Sequence, residues 1–465
     1  MRQIILLAVL CCLGALPVSA ATYFISPSGN DSSNGTSADV SWVSPKHSLN
    51  CGDIIIAASG SYSAASFGAG RWGAVTCPAG NNVAWLQCET FDTCKISSTT
   101  SDGMWLDASY WGVQGWEVTT SKYIYGACFH AGPSGGSTVH HIIFANDVAN
   151  GCMGGGFNSY NASTSASVDY IVYVGNVAYN AAAGTGACYS GFNIYQPIAS
   201  DTVAGTHMYI AGNYSYSNVD GVGCSGSHTT DGEGINLDTF DFSQGGGTAY
   251  IQQAVVQNNI SAGNGSAGIL IENNRVGSKS ASVFFNYNTT YGNVQDNTLS
   301  FCSGLGDMYI QAANTVTATN NLSMTNGATV CDSNAKYVFS VANGDVSDVV
   351  SGNWWYSTAG QNTFLYNSGS FVFGTNTTGV DPMFSSLGIP EAPACSGTAN
   401  VPECMATLIS NFAPMNTSAK AYGYQTVINA STTDPLFPQW LCNVNLPSGL
   451  VTLGCFQLHL TATVS

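Results

Sequence analysis

Between Thr229 and Glu272 the sequence concentrates carboxylates: Asp231, Glu233, Asp238, Asp241 and Glu272 fall inside the stretch, and Arg275 and Lys279 follow it. The whole chain of 465 residues carries 9 Lys plus Arg, so two basic residues beside this cluster are chemically informative. Two chemistries suit such a set. In the first, Asp231, Glu233, Asp238 and Glu272 hold Ca2+, a hard cation that prefers oxygen ligands. The metal neutralises a uronate carboxylate and acidifies its α-proton, and Arg275 or Lys279 removes that proton. In the second, two of Asp231, Glu233, Asp238 and Glu272 act as general acid and base or nucleophile on a glycosidic bond, their separation deciding inversion or retention. A third possibility is structural: the acids hold a calcium that staples a long coil, or solvate an insertion.

The residues that must position this chemistry form a family of short segments, GGFNSY from Gly155, SGFNIY from Ser190, EGINLD from Glu233, AGILIE from Ala267 and GDMYIQ from Gly306. Each reads as a strand, and alternate strand residues point to opposite faces. Aligned on their apolar positions, Phe157, Phe192, Ile235, Ile269 and Met308 point inward, as do Ser159, Ile194, Leu237, Ile271 and Ile310. Two outward columns result: Asn158, Asn193, Asn236, Leu270 and Tyr309, and beside them Tyr160, Tyr195, Asp238, Glu272 and Gln311. Tyrosines, carboxylates and amides in line can bind successive sugar rings by stacking and hydrogen bonding. Tyr160, Tyr195, Asn193, Asn236, Tyr309, Gln311 and His228 are therefore the candidate substrate-binding residues, and Asp238 and Glu272 are expected to be neighbours on adjacent strands.

These segments alternate with a second repeat: ANDVANG, GNVAYN, GNYSYSN, QNNISAGNG, YNTTYGN, NNLSMTNG and GNWW. One asparagine from each, at 146, 176, 213, 259, 288, 321 and 353, gives intervals of 30, 37, 46, 29, 33 and 32 residues. A period near thirty means a solenoid. Two or three strands per coil, with an Asn at a recurring turn, describes an all-β, right-handed parallel β-helix. Buried asparagines stacked about 4.8 Å apart pair amide donors and acceptors from coil to coil. The 46-residue interval holds the acidic stretch, and insertions in repeat proteins collect on the binding face.

Composition limits the partners. A formal charge of −17 leaves no basic patch for phosphates, which excludes nucleic acid. Residues 1–20 combine Arg2, an apolar core, Pro17 and a small-residue end at Ala20, the pattern of a secretory signal peptide. No further apolar run is long enough to span a bilayer. A secreted, extracellular monomer without a membrane span is expected, with the β-helix over 21–380 and a C-terminal end or capping segment with disulfides over 381–465. The 14 cysteines after the signal peptide suit disulfides, with Cys88–Cys94, Cys395–Cys404 and Cys442–Cys455 as the local pairs. Eleven Asn-x-Ser/Thr sequons run from Asn30 to Asn429. His140 and His141 read as turn or surface residues, and Trp354 and Trp355 as core or coil-capping ones.

The segment TYFISPSGNDSSNGTS, followed by Gly52-Asp53-Ile54-Ile55-Ile56 with Gly60 and Tyr62, resembles the opening of pectate-lyase-like parallel β-helix proteins. VDPMF at Val380 and FAPMNTSAKAYGYQ resemble the end of such proteins. The resemblance covers nearly the whole chain after the signal peptide and implies the fold. It leaves the reaction open among lyases, glycoside hydrolases, esterases, epimerases and adhesins. DGEGINLD resembles the calcium-binding stretch of one calcium-dependent pectate lyase family, in which a basic residue follows on a later coil. Thr229-Thr230-Asp231-Gly232 is similar to the NTDG of polygalacturonase-type enzymes, but the paired Asp and the Gly-His-Gly of those enzymes are absent. The resulting expectation is a lyase acting on an extracellular, uronate-containing polysaccharide by calcium-assisted β-elimination, then a glycoside hydrolase, then a non-catalytic glycan-binding or adhesive protein.

Overall fold

A computed structural model describes residues 20–78, 82–120, 127–135, 138–160, 166–184, 188–221, 230–240, 248–272, 281–299, 305–311, 315–325, 337–344, 348–358, 365–369, 371–387, 410–424, 427–428, 436–444 and 458–459. Among the described residues three long parallel sheets of 12, 11 and 9 strands run along the molecule. Successive coils add one strand to each, so Thr206–Ala211 joins the first sheet, Tyr214–Tyr216 the second and Ile235–Asp238 the third. The chain is a parallel β-helix. Among the described residues no helix is long and apolar enough to cross a membrane.

The core lies between the sheets. Phe157, Phe192, Ile235, Ile269 and Met308 line it from the third sheet, opposite Phe144, Tyr173 and Ile210 of the first. Aromatic residues stack up the axis, with Phe129, Phe157 and Phe192 at centroid separations of 4.6 and 4.8 Å. Trp355 belongs to this core, whereas Trp354 faces outward against Tyr422.

The turn between the first and second sheets carries the expected asparagine ladder. Asn176, Asn213, Asn259, Asn288, Asn321, Asn353 and Asn376 pass Nδ2–H to the next Oδ1 over 2.9–3.1 Å. Each of these Oδ1 atoms also accepts the preceding rung's backbone N–H, and Nδ2 donates a second time to a first-sheet carbonyl such as Phe144 O or Ile210 O. Asn146 is not a rung. Asp147 takes that place, accepting from Trp116 N at 2.9 Å, and its backbone N–H donates to Asn176 Oδ1. Asn146 is instead the left-handed residue before the rung, at φ +55°, a conformation Gly175 and Asn258 share at the same point. Burial pushes the Asp147 carboxyl well up.

A second ladder, which the sequence reading did not identify, runs through Asn218, Asn264 and Asn293 at the next turn and ends on Asp307, whose Oδ1 accepts Asn293 N at 2.8 Å. Asn213, Asn259, Asn264, Asn288, Asn321 and Asn376 are all sequon asparagines, so those sequons serve the ladders and their amides are not open to a glycan.

Disulfides link Cys51–Cys77, Cys88–Cys94 and Cys128–Cys152. Cys188 is also disulfide-bonded. The Cys88–Cys94 expectation holds. Cys395, Cys404 and Cys455, and the side chain of Cys442, lie outside the described residues.

The described parts of 381–465 lie along the sides of the coil. Phe384, Phe412 and Ala419 pack on Tyr214, Ile260, Tyr291 and Leu322 outside the second sheet. Phe437, Trp440, Leu441 and Val444 pack on Ile143, Val172, Tyr209 and Val255 outside the first. Thr206 Oγ1 donates to Leu436 O at 3.0 Å, and Tyr424 N donates to Thr289 Oγ1 at 2.8 Å.

Replacing a mid-ladder rung, Asn288→Ala, removes two donors and orphans Asn259 N. A loss of roughly 2–4 kcal/mol is expected. Urea unfolding followed by circular dichroism checks it, and a midpoint equal to wild type would contradict the ladder's role.

Candidate functional site

Third-sheet strands pair in the expected register: Tyr160 opposite Tyr195, Tyr195 opposite Asp238, and Glu272 opposite Gln311. Leu237 pairs with Ile271, and Thr239 N donates to Glu272 O at 3.1 Å, which sets Asp238 beside Glu272. The five side chains therefore form one column with a rise of about 4.8 Å per coil. All five keep accessible surface, and Tyr160 is 37% exposed. The Tyr160 and Tyr195 rings stack at 5.2 Å with an interplanar angle of 29°. The Thr239 hydroxyl hydrogen-bonds Asp238 Oδ1 from a residue at φ +53°, so the chain turns away directly after the column. Burial raises the Tyr195 phenol, and Asp238, Tyr160, Glu272 and Asp231 add to the shift, so its O–H stays protonated.

The neighbouring column is covered. Asn193 and Asn236 are buried, at 7% and 2% exposure, and Asn193 Nδ2 donates to Asn158 Oδ1 at 3.2 Å. Tyr309 is 8% exposed, packed with Leu270 under Val294, Leu299 and Leu305. The sequence pattern places these three beside the strip. The structure buries all three, Tyr309 in the apolar cluster with Val294, Leu299 and Leu305.

The expected four-carboxylate metal site does not assemble. Among the described residues no group of three or more His, Cys, Asp or Glu is arranged to hold a metal ion. Glu233 precedes the strand Ile235–Asp238, beyond a bend at Gly234, and that strand carries Asp238 about 10 Å from Ile235. Glu233 is buried, with Oε2 accepting from Ser190 Oγ at 2.7 Å. Burial and then the Asp231 charge push its carboxyl well up. Asp231 keeps part of its surface exposed and is raised by burial to about 6. Asp220, absent from the sequence reading, completes this group; burial and then Asp231 raise it to about 8. The four carboxylates thus separate into a lead-in group, Asp231 and Glu233 with Asp220, and the column pair Asp238 and Glu272. Arg275, Lys279, His228 and Asp241 lie outside the described residues.

His140 and His141 belong to the first-sheet strand Val139–Ala145, contrary to the turn or surface reading. His141, at φ +58°, is 7% exposed and stacks between Tyr110 at 4.8 Å and Tyr170 at 4.1 Å. Burial, with His140 adding, lowers His141 to about 3. Tyr170 continues the stack onto His207 at 3.7 Å. His207 Nδ1 meets Asp169 Oδ1 at 3.0 Å and Nε2 meets Val203 O at 2.9 Å, so this fully buried imidazole is satisfied on both nitrogens. Asp169 also accepts from Tyr250 OH and Ser200 N, both at 2.7 Å, and serves packing.

No family model matches the sequence, and no curated protein matches it. Solved structures similar to the chain include pectate lyase Pel9A, 16% identical over 80% of this chain and 84% of that one, with a TM-score of 0.38. A rhamnogalacturonan lyase is 14% identical over 87% and 99%, with a TM-score of 0.41. The Azotobacter vinelandii mannuronan C-5 epimerase AlgE6 A-module is 12% identical over 70% and 91%, with a TM-score of 0.33. The parallel β-helix itself stands on the strand register described above.

The lead-in acids generate a pH dependence. Asp220 and Asp231 are raised above the usual carboxylate value, so the fold binds protons that the unfolded chain releases. Their contribution is most favourable below about pH 4 and is lost as pH rises through about 6 and 8. Asp220→Asn is expected to gain melting temperature over wild type between pH 5 and 8. A difference that does not change with pH would refute the raised carboxyl.

Proposed function

We propose that this chain is a secreted, carbohydrate-active β-helix protein that holds an extracellular polysaccharide along the third sheet and cleaves it at Asp238 and Glu272. One observation carries the proposal: the strand register gathers two tyrosines, two carboxylates and an amide into a single accessible column. The outer faces of the other two sheets are packed against the chain's own C-terminal segments. Tyr160 supplies a ring face, and Tyr195 adds a phenol O–H that donates to sugar oxygens. Gln311 extends the line of donors and acceptors beyond the carboxylates.

The reaction favoured is β-elimination from a uronate. A basic side chain removes the proton α to the substrate carboxylate, the β C–O bond breaks, the leaving oxygen takes a proton, and a C4–C5 double bond remains. Arg275 and Lys279, which follow Glu272 in sequence, are the proposed bases, and only a deprotonated form performs the step. Asp238 and Glu272, two hard oxygen donors on adjacent coils, would hold a calcium ion if one binds, and it would supply charge to screen the uronate carboxylate.

Glycoside hydrolysis is the second reading, favoured by the same pair. Side chains on neighbouring coils start from Cα atoms about 4.8 Å apart, near the roughly 5–5.5 Å carboxyl separation of retaining enzymes.

A panel of polyuronates and neutral glycans, assayed for ultraviolet-absorbing unsaturated ends and for reducing ends, with calcium or chelator, separates the readings. For the lyase, wild type forms unsaturated product and Asp238→Ala lowers kcat/KM by roughly two to four orders of magnitude. Reducing ends without that absorbance identify the hydrolase. Binding without turnover of any polymer would discard both in favour of a glycan-binding protein.

A further inference from the structure

The strip continues past Tyr160 toward the N-terminal end of the helix. One coil earlier the position belongs to Gly132, whose N–H donates to Leu106 O at 3.1 Å, so the ladder persists and Asp107 holds the position one coil beyond. A Cβ on Gly132 would meet Tyr160 O at 2.6 Å and His130 Nε2 at 2.7 Å, so the position takes only glycine, and among the described residues this column carries no side chain between Tyr160 and Asp107. The gap spans two coils, about 10 Å.

Its walls are chemically defined. Tyr195 covers one face of Tyr160, and the opposite face looks onto Gly132. Along the flank, Trp105 stacks on His130 at 4.8 Å with an interplanar angle of 12°, and the indole is pinned by Nε1–H donating to Gly132 O at 2.8 Å. His130 Nδ1 approaches Asp102 Oδ2 at 3.5 Å, while Nε2, turned toward Gly132, has no hydrogen-bond partner. Asp107 accepts from Gly70 N at 2.7 Å and from the Ser134 hydroxyl, both on Oδ2, which leaves the lone pairs of Oδ1 for a ligand.

We infer that this gap is a subsite for one uncharged pyranose ring of a glycan, stacked on the free face of Tyr160 with its hydroxyls donating to Asp107. A ring at van der Waals distance, about 4 Å from the phenol plane, sits level with Gly132. The remaining 5–6 Å or so to the Asp107 strand is spanned by a carboxylate and one hydrogen bond. The Asp107 carboxylate accepts hydroxyl protons and repels a second carboxylate, which selects a neutral sugar over a uronate. Arg71, exposed beside Gly70, does not neutralise it: among the described residues the lysine and arginine ion pairs are Lys46–Asp31 and Lys95–Glu117. The inference extends the proposed polysaccharide-cleaving function and makes the substrate a mixed polymer, with a neutral sugar about three coils from the residue at Asp238.

Calorimetric titration of the full chain in chelator with neutral xylo-, galacto- and gluco-hexasaccharides, and with hexamers of galacturonate and guluronate, tests it. A neutral hexasaccharide is expected to bind, Tyr160→Ala to weaken it roughly tenfold, as loss of one stacking contact of about 1.4 kcal/mol implies, and Tyr160→Phe to retain it. Equal melting temperatures show that the variants fold. Binding of uronate hexamers alone, of no hexasaccharide, or of neutral ones equally by wild type and Tyr160→Ala would overturn the subsite. Polymer cleavage lost in Asp238→Ala without neutral binding would leave the enzyme proposal standing and remove only the subsite. Tyr160-dependent neutral binding with no turnover of any polymer would do the reverse.

Discussion

The amide-to-amide hydrogen bond repeated from Asn176 to Asn376 is the constraint on which the other dimensions of the molecule depend. A buried amide with an unmet donor costs more than a satisfied one returns, so each rung holds its neighbour at hydrogen-bonding distance. Each Oδ1 also takes the backbone N–H of the preceding rung, and the ladder thereby fixes where each second-sheet strand starts. With that origin fixed on every coil, insertions of very different length are accommodated in the turns without disturbing register. The 46-residue step from Asn213 to Asn259 closes the same hydrogen bond as the 29-residue step from Asn259 to Asn288.

Register is what brings distant residues into one column here. Tyr160, Tyr195, Asp238, Glu272 and Gln311 are far apart in the chain and adjacent only because the glycine-led strands Phe157–Tyr160, Phe192–Tyr195, Ile235–Asp238, Ile269–Glu272 and Gly306–Gln311 start in step. Where the glycine column gives way to Asp307, the carboxylate closes the second ladder. The same device, an acid in place of an amide at a ladder's end, appears at Asp147.

These facts also explain what was legible in the sequence. Apolar alternation in FNIY, INLD and ILIE fixes which residues face the core, and that reading agrees with the four pairings that join the five aligned segments. The ladder was legible except at ANDV, where asparagine and aspartate exchange places because either tolerates the left-handed turn and either oxygen accepts the bond. The second ladder left a signal that went unread, asparagines five residues apart in GNYSYSN, NNISAGN and YNTTYGN. Exposure was not legible: Tyr309 packs with Leu299 and Leu305, which belong to neither repeat and so give no period to betray where they pack. Proximity in DGEGINLD suggested a single acid cluster, but the strand Ile235–Asp238 carries Asp238 away from Asp231 and Glu233, and among the described residues no three acids converge on one point. Cys51–Cys77 and Cys128–Cys152 join residues one coil apart, a neighbourhood that exists only once the coils are stacked.

The open face follows from the polarity of the outward columns. The first sheet points Ile143, Val172, Tyr209 and Val255 away from the core, and the second points Tyr214, Ile260 and Leu322. Left bare, those columns would present continuous apolar patches, at about 25 cal/mol per Å2 of surface. The chain meets that cost with its own C-terminal segments, placing Phe437 and Trp440 on one face and Phe384 and Phe412 on the other. On the third sheet the column of Tyr160, Tyr195, Asp238, Glu272 and Gln311 is already compatible with water and gains nothing from an apolar cover. Hydrophobic burial that completes two faces therefore leaves the polar column of the third accessible to solvent.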